Sequence, residues 1–131
     1  MYNKVIVMGR ITKDIELKTT PQGVTVTSFT VAVDRPYTAK GQEKQTDFFN
    51  CVAWRSTAEF IAHYFGKGRM IHFDGELQNR SYTDKNGDKK TVTEIIVSSV
   101  QFTGEKPISQ QTQQAPREEP QEQASGDNYP F

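Results

Sequence analysis

Aromatic side chains stand beside basic ones at several points in this sequence. Phe48 and Trp54 are six residues apart in a strand-like segment, so alternation places both rings on the same face. Tyr82 follows Arg80 by two residues on the polar face of a later segment, and Tyr37 comes directly after an Arg-Pro pair. Each of these places combines a flat apolar surface with a positive charge.

Exposed aromatic rings next to cations can bind a single nucleic-acid strand. A base stacked on such a ring contributes about 1–3 kcal/mol whatever its identity, and basic side chains neutralise phosphates, which makes binding depend on salt. The candidate stacking residues are Tyr37, Phe48, Trp54 and Tyr82. The candidate phosphate-binding residues are Lys4, Arg10, Arg35, Arg55, Lys67, Arg80 and Lys85.

The same residues have less specific interpretations, which the pattern leaves open. Aromatic residues on strands usually belong to the core, and Phe48 alone fits core packing equally well. Trp54 fits a subunit interface equally well, and single lysines are usually solvated surface. Tyr82 makes the strongest case, because Gln78 and Arg80 make its own strand face polar.

Residue sets typical of catalysis or of metal binding are missing from the sequence. We find no paired carboxylates, no nucleophile elbow and no phosphate-binding glycine loop. His63 and His72 are isolated, and the single cysteine, Cys51, falls on the predicted core face of its strand. We therefore expect no enzymatic activity, no catalytic residue, no metal and no cofactor.

Short strands and one helix are expected to position these side chains. The predicted elements, in order, are strands at residues 4–11, 24–33 and 47–54, a helix, and strands from about residue 69 and from about residue 91 to 102. Three strands, a helix and two further strands are the layout of a five-stranded oligonucleotide-binding (OB) barrel. The expected fold class is all-β with one helix, followed by a disordered C-terminal tail.

Local signals add detail to this fold. The apolar positions of the second strand change parity near Ser28, which predicts a β-bulge that bends the strand. Ser56 and Glu59 fit a capping box at the start of the helix, and Gly66 is placed to end it. An Asn-Gly turn within residues 84–88 joins the last two strands.

The composition changes at about residue 105. Residues 1–105 contain 14 Lys and Arg against 12 Asp and Glu, a net charge of +2, whereas residues 106–131 contain 2 against 4, a net charge of −2. The later segment also holds six Gln and four of the six Pro, a composition that cannot bury enough surface to fold. We therefore predict a folded domain, residues 1–105, and a disordered tail, residues 106–131.

No signal peptide is visible, because the N-terminal residues run directly into a strand. No apolar run approaches the ~18 residues that span a bilayer. We expect a cytoplasmic, nucleoid-associated protein without a membrane partner.

Six segments spread along the chain form a more specific pattern: Asn3–Arg10, Gly23–Val33, Thr46–Val52, Tyr64–Gly68, Asp74–Leu77 and Val92–Glu94. Together they resemble the bacterial-type single-stranded DNA-binding proteins over nearly the whole chain. The resemblance implies that the four aromatics on which this family stacks bases correspond to Tyr37, Phe48, Trp54 and Tyr82. Basic positions of the family match Lys4, Lys67 and Arg80, and Arg10 and Arg35 are similar to its Gram-positive branch.

The resemblance also implies an assembly and partners. It implies a homotetramer that binds single-stranded DNA independently of sequence, protects it, and recruits replication, recombination and repair proteins through its C-terminal tip. Family tails end in several acids, one apolar residue and Pro-Phe. Here the partner-binding tip consists of Asp127, Tyr129, Pro130 and Phe131, so one acid adjoins it and a tyrosine replaces the usual Ile or Leu.

Other functions fit parts of the sequence. A docking module with weak DNA affinity fits the net charge of zero, and an RNA-binding barrel of the cold-shock type would share the exposed aromatics. A nuclease would need metal-binding carboxylates, and the tail could be an inert solubilising segment. The sequence leaves open a chromosomal, second-copy or phage origin.

Overall fold

The computed structural model describes residues 1–105, which form a closed five-stranded barrel with one helix, as predicted. The elements are β1 (Val5–Ile11), β2 (Lys18–Thr19), β3 (Thr25–Asp34), β4 (Thr46–Trp54), α1 (Arg55–Tyr64), β5 (Met70–Thr83) and β6 (Lys89–Gln101). The predicted tail, residues 106–131, and the tip within it lie outside the described residues.

Barrel closure depends on the contact between β1 and β3. The strands are hydrogen-bonded in the order β1-β5-β6-β4-β3-β2, and an additional pairing of β1 with β3 closes the sheet. The two-residue β2, which the sequence did not predict, only extends the edge of β3. A Cβ on Gly9 would lie 2.7 Å from the carbonyl oxygen of Ala32, so the two backbones can approach this closely only because residue 9 is glycine.

Inward-facing residues of the long strands and one stripe of α1 fill the core. The rings of Phe29 and Phe73 meet edge to face with centroids 6.2 Å apart. Ala58 and Ile61 of α1 and the following Phe65 are buried in the same core. The other core residues are Val7, Ile11, Val31, Cys51, Ala53, Ile71, Ile95 and Val97.

The bulge predicted near Ser28 is wrong. β3 pairs with β4 in one unbroken register from Val26 to Asp34. The parity only seemed to change because Thr27, a polar residue, occupies a buried position, where its hydroxyl donates a hydrogen bond to the Glu16 carbonyl at 2.7 Å. The register shift occurs instead between β5 and β6, next to Gly75.

Both predicted ends of the helix also differ from the structure. Trp54 occupies the N-cap position and no side chain caps the helix there, so the capping box of Ser56 and Glu59 does not form. The helix ends at Tyr64, and the N–H of Phe65 donates to the Ile61 carbonyl at 2.9 Å. Gly66 follows this end of the helix, but its φ is not positive, so it does not end the helix through a left-handed conformation.

The β5–β6 hairpin extends beyond the barrel. β5 alternates between buried and half-buried residues up to Gly75 and is exposed from Glu76 to Thr83. The predicted turn is confirmed: Asp84 donates its N–H to the Asp88 carbonyl at 2.9 Å, and Gly87 has a φ of 86°. This hairpin presents the later candidate residues to solvent.

Candidate nucleic-acid interface

The outer face of β4 carries two of the candidate stacking residues. The side chains of Phe48 and Trp54 are 64% and 42% exposed, whereas Val52 between them is buried. Cys51 and Ala53 point to the core, as predicted for the inner face of the strand, whereas Phe49 on that face is exposed. The ring of Phe48 therefore lies on the surface of the barrel and does not pack in its core.

A cation lies in register with Phe48. Ala32 of β3 pairs with Phe48 on one side and with Arg10 of β1 on the other. Directly paired residues of antiparallel strands point to the same face, so the side chains of Arg10 and Phe48 share the outer surface. A groove of about 370 Å³ lies there, and Met8 and Asp34 are among the residues that line it.

Trp54 has a cation in register as well. Val26 of β3 pairs with Trp54 on one side and with Lys18 of β2 on the other. Lys18 was not among the sequence candidates, because a two-residue strand leaves no periodic signal. Arg55 directly follows Trp54 and has a φ of 55°, a left-handed conformation that arginine rarely adopts. Trp54 thus has one basic residue in register on β2 and another next to it in the chain.

Tyr82 lies on the exposed hairpin and is 44% exposed. The guanidinium of Arg80 stands 5.8 Å from the centroid of its ring and donates two hydrogen bonds to the Glu94 carboxylate at 3.1 and 3.0 Å. Glu94 thereby raises the pKa of Arg80. Lys90 pairs directly with Tyr82 across the hairpin. Lys90 was not among the sequence candidates. Counting outward from the predicted turn along both strands would have paired it with Tyr82.

Tyr37 lies in the loop between β3 and β4 and is 80% exposed. The nearby guanidinium of Arg35 donates two hydrogen bonds of 3.0 Å to the carboxylate of Asp47. These bonds lower the pKa of the Asp47 carboxyl. The loop also encloses a groove of about 210 Å³, with Gln42 among its lining residues. The ion pair thus fixes the base of a loop that holds Tyr37 in solvent.

Several of the candidate cations already hold a carboxylate. The pairs are Lys4 with Asp74 at 2.9 Å, Arg10 with Glu105 at 3.0 Å, Arg35 with Asp47 at 3.0 Å and Arg80 with Glu94 at 3.0 Å. The ion pairs within residues 1–105 do not include the remaining candidates, Arg55, Lys67 and Lys85. The basic side chain of each pair is at least half exposed, so an incoming anion can reach it; surface pairs contribute only about 0–1 kcal/mol to stability.

The candidates occupy three parts of the surface: the outer face of β3 and β4, the β5–β6 hairpin and the β3–β4 loop. Lys67 borders the first part, since the carbonyl of the adjacent Gly68 accepts a hydrogen bond from Arg10 at 2.9 Å. Lys4 precedes the opposite end of β1 and contacts Asp74. The strand register does not place Tyr82, the aromatic residue of the hairpin, next to Phe48 or Trp54 on the barrel face.

The remaining candidate chemistry is limited. No helix within residues 1–105 is long and apolar enough to cross a membrane, and no three His, Cys, Asp or Glu side chains in that range are grouped to hold a metal. Burial raises the pKa of the Cys51 thiol to about 12. His63 packs edge-on against Tyr64 at 4.4 Å, and His72 is half-buried on β5.

Comparison with known proteins identifies the family. The profile of the single-strand binding protein family matches residues 2–103. The chain belongs to this family. The resemblance stated from the sequence is therefore confirmed, and the OB-type barrel agrees with it.

Individual relatives agree with this assignment. Single-stranded DNA-binding protein 2 of Listeria monocytogenes is 47% identical over 102 residues, which are 78% of this chain and 64% of that protein. Single-stranded DNA-binding protein A of Bacillus subtilis is 46% identical over 102 residues, 78% of this chain and 59% of that protein. Single-stranded DNA-binding protein 1 of Staphylococcus aureus is 41% identical over 126 residues, 96% and 75% of the two chains. The chain thus spans about three fifths of the length of the first two relatives.

Proposed function

We propose that this protein binds single-stranded DNA independently of base sequence. The observation that carries the proposal is the exposure of Phe48 and Trp54 on one outer barrel face, each in register with a cation. Family membership and the names of the relatives support the same function. The protein does no chemistry on the strand, so no residue acts as a catalyst.

Binding combines stacking with phosphate neutralisation. Bases stack on Tyr37, Phe48, Trp54 and Tyr82, each stack contributing about 1–3 kcal/mol. Phosphates contact Lys4, Arg10, Arg35, Arg55, Lys67, Arg80 and Lys85, and also Lys18 and Lys90. Where a cation holds a carboxylate in the free protein, the phosphate replaces or shares that partner. Binding weakens as salt rises, because counterions released from the DNA gain less entropy when the surrounding solution already contains more salt.

The wider role follows from the same proposal. Residues 1–105 act as the DNA-binding domain, and residues 106–131 act as a tail whose tip, Asp127, Tyr129, Pro130 and Phe131, binds replication, recombination and repair proteins. The protein works in the cytoplasm, where it associates with the nucleoid, and it assembles as a homotetramer. The apolar ring and carboxylate of the tip suit a small pocket with a basic rim.

A binding titration tests the proposal. Fluorescently labelled oligo-dT is titrated with the full-length protein at low and at high salt, and anisotropy is followed. We expect tight saturable binding at low salt, weakening at high salt, and little competition from duplex DNA. Absence of binding under all conditions would make the docking module the better explanation, and preference for an RNA oligonucleotide would favour an RNA-binding barrel. Degradation of the oligonucleotide in magnesium would indicate a nuclease.

A further inference from the structure

An uncharged amide lies on the outer face of β4 between its two exposed aromatics. Asn50 follows Phe48 by two residues and precedes Trp54 by four, so the three side chains share one face of the strand. Thr30 of β3 is directly paired with Asn50, and its hydroxyl donates a hydrogen bond to Oδ1 of Asn50 at 3.2 Å. Asn50 is exposed, whereas Thr30 is half-buried. The pair thus presents an amide to solvent on the face where bases are proposed to stack.

Thr30 fixes which way this amide points. Because Oδ1 faces the hydroxyl, the NH2 group at Nδ2 is directed away from Thr30, and this is the one hydrogen bond that the Asn50 side chain makes within residues 1–105. An asparagine amide has two N–H donors, so both are available to a ligand. Phe48 is about 7 Å away along the strand, which brings the edge of a base stacked on its ring within reach.

We propose that Asn50 donates a hydrogen bond to the edge of the base that stacks on Phe48, and that Thr30 is the positioning residue for this contact. The inference rests on the proposed function, because it requires a base on Phe48. Natural bases carry acceptor atoms on their edges, such as O4 of thymine and N7 of the purines. An amide that presents its donor side therefore finds an acceptor on any base, which agrees with binding independent of sequence.

A phosphate is the other acceptor that this amide could meet. Thr30, which continues the row of Asn50 onto β3, is uncharged, whereas Arg10 offers a phosphate a cation in the neighbouring row. On the β6 side, the parallel register brings Glu94 alongside Asn50, and that carboxylate accepts its hydrogen bonds from Arg80. Phosphates thus find their cations beside this row, and the neutral amide is left for a base.

A shape-matched analogue of thymine tests the contact in the full-length protein. In difluorotoluene, fluorine atoms replace both carbonyl oxygens of thymine, so the ring keeps its shape but offers no strong acceptor. We compare the affinities for oligo-dT and for the same oligonucleotide built from the analogue. We expect Asn50→Ala to lower the ratio of the two affinities about two- to tenfold, because the analogue already lacks the hydrogen bond that the variant removes. An unchanged ratio would overturn the inference, whether or not both affinities fall.

The β5–β6 hairpin provides a matched control. Oδ1 of Asn79 accepts a hydrogen bond from the Thr93 hydroxyl at 2.6 Å, so the same pair of side chains recurs there. Asn79 is exposed on the face opposite Tyr82, away from the candidate stacking residues. Asn79→Ala should therefore leave the ratio at its value in the unmodified protein. A fall as large as that in Asn50→Ala would contradict a contact specific to Asn50.

The role of Thr30 is tested by two substitutions that differ in one group. Thr30→Val keeps the shape of the side chain but loses the hydroxyl, so the amide is no longer oriented and the ratio should fall as it does in Asn50→Ala. Thr30→Ser keeps the hydroxyl and should retain the ratio of the unmodified protein. Retention of the ratio in Thr30→Val would refute the positioning role.

A measurement on the unmodified protein keeps the test independent of folding defects. The side-chain amide protons of Asn50 are followed by NMR in the presence of each oligonucleotide. We expect them to move further downfield with oligo-dT than with the analogue, because only thymine accepts their hydrogen bond. Equal positions in the two saturated complexes would refute the contact and leave the proposed function intact. If the unmodified protein binds neither oligonucleotide, the proposed function fails and this inference fails with it.

Discussion

Arg10 and Phe48 lie in one row on the outer surface of the barrel, because both pair with Ala32 of β3. Two strand spacings separate their backbones, a distance of about 10 Å. A short stretch of a single strand can span that distance, with a base on the ring and a phosphate at the guanidinium. Lys18 and Trp54 repeat the arrangement through Val26. Each proposed stacking residue on this face therefore has a basic residue in its own row.

Removing an exposed aromatic should weaken DNA binding without unfolding the barrel. We expect Phe48→Ala and Tyr82→Ala each to lower oligo-dT affinity about 5- to 100-fold, the equivalent of one lost stack. Tm should change little for Phe48→Ala, because that side chain is 64% exposed, and somewhat more for Tyr82→Ala, because Tyr82 is 44% exposed. Tyr64→Ala is the matched control, since that ring is 46% exposed but belongs to an aromatic cluster with Phe60 and Phe102. Equal losses in the control would argue against specific stacking sites.

The hairpin cation should contribute to the salt dependence of binding. Arg80→Gln removes one phosphate contact, so we expect the slope of log K against log salt to become shallower by about 0.7. The double variant Arg80→Gln, Glu94→Gln restores the net charge of the hairpin without restoring a cation. Affinity and slope should therefore stay low in the double variant. Recovery to the level of the unmodified protein would mean that the net charge of the hairpin matters rather than a contact by Arg80.

Stability should fall in acid, partly through the pair of Arg35 and Asp47. The hydrogen bonds from Arg35 lower the pKa of Asp47 below its ordinary value of 3.8. A carboxyl with a depressed pKa stabilises the fold above its ordinary pKa, and this contribution is lost as the pH falls through the pKa of the folded state. Asp47→Asn should therefore lower Tm at pH 7 and have a smaller effect at pH 3, measured by thermal denaturation. A deficit of the same size at both pH values would contradict this assignment.

Closure of the barrel should depend on the absence of a side chain at Gly9. A methyl group there would clash with the carbonyl of Ala32, so we expect Gly9→Ala to destabilise the fold by about 1–3 kcal/mol in denaturant unfolding. Gly66→Ala provides the control, because a Cβ at Gly66 would meet nothing within 4 Å. If both variants were equally stable, β1 and β3 would have room that the structure does not show.

The succession of the long strands along the chain and many of their inward-facing residues could be predicted from the sequence, because burial of one strand face imposes a period of two. Alternation in β4 placed Phe48 and Trp54 on the outer face correctly. Alternation mispredicted a bulge in β3 because a polar residue, Thr27, is buried there. The Glu16 carbonyl accepts a hydrogen bond from its hydroxyl, which makes this burial possible. The sequence pattern also failed at the start of α1, where the chain passes directly from Trp54 into the helix and needs no side-chain cap.

Pairing across strands is what the sequence could not supply. Lys18 and Trp54 are far apart in the chain, and only the β3 register shows that they share a row. The carboxylates that hold Arg10 and Arg80 were likewise invisible, because they lie 95 and 14 residues away. The residue pattern supplied the candidate list, the resemblance matched part of it, and the structure adds which of these cations pair with a carboxylate.

The most direct test of base stacking uses the single tryptophan, Trp54. Its fluorescence is followed while oligo-dT is added to the full-length protein at low and high salt. We predict strong quenching that saturates at a fixed ratio of nucleotides to protein, with the midpoint shifted to higher DNA concentration by salt. Binding seen by anisotropy without any change in Trp54 fluorescence would contradict the account, because DNA would then be held without a base on the exposed ring of β4.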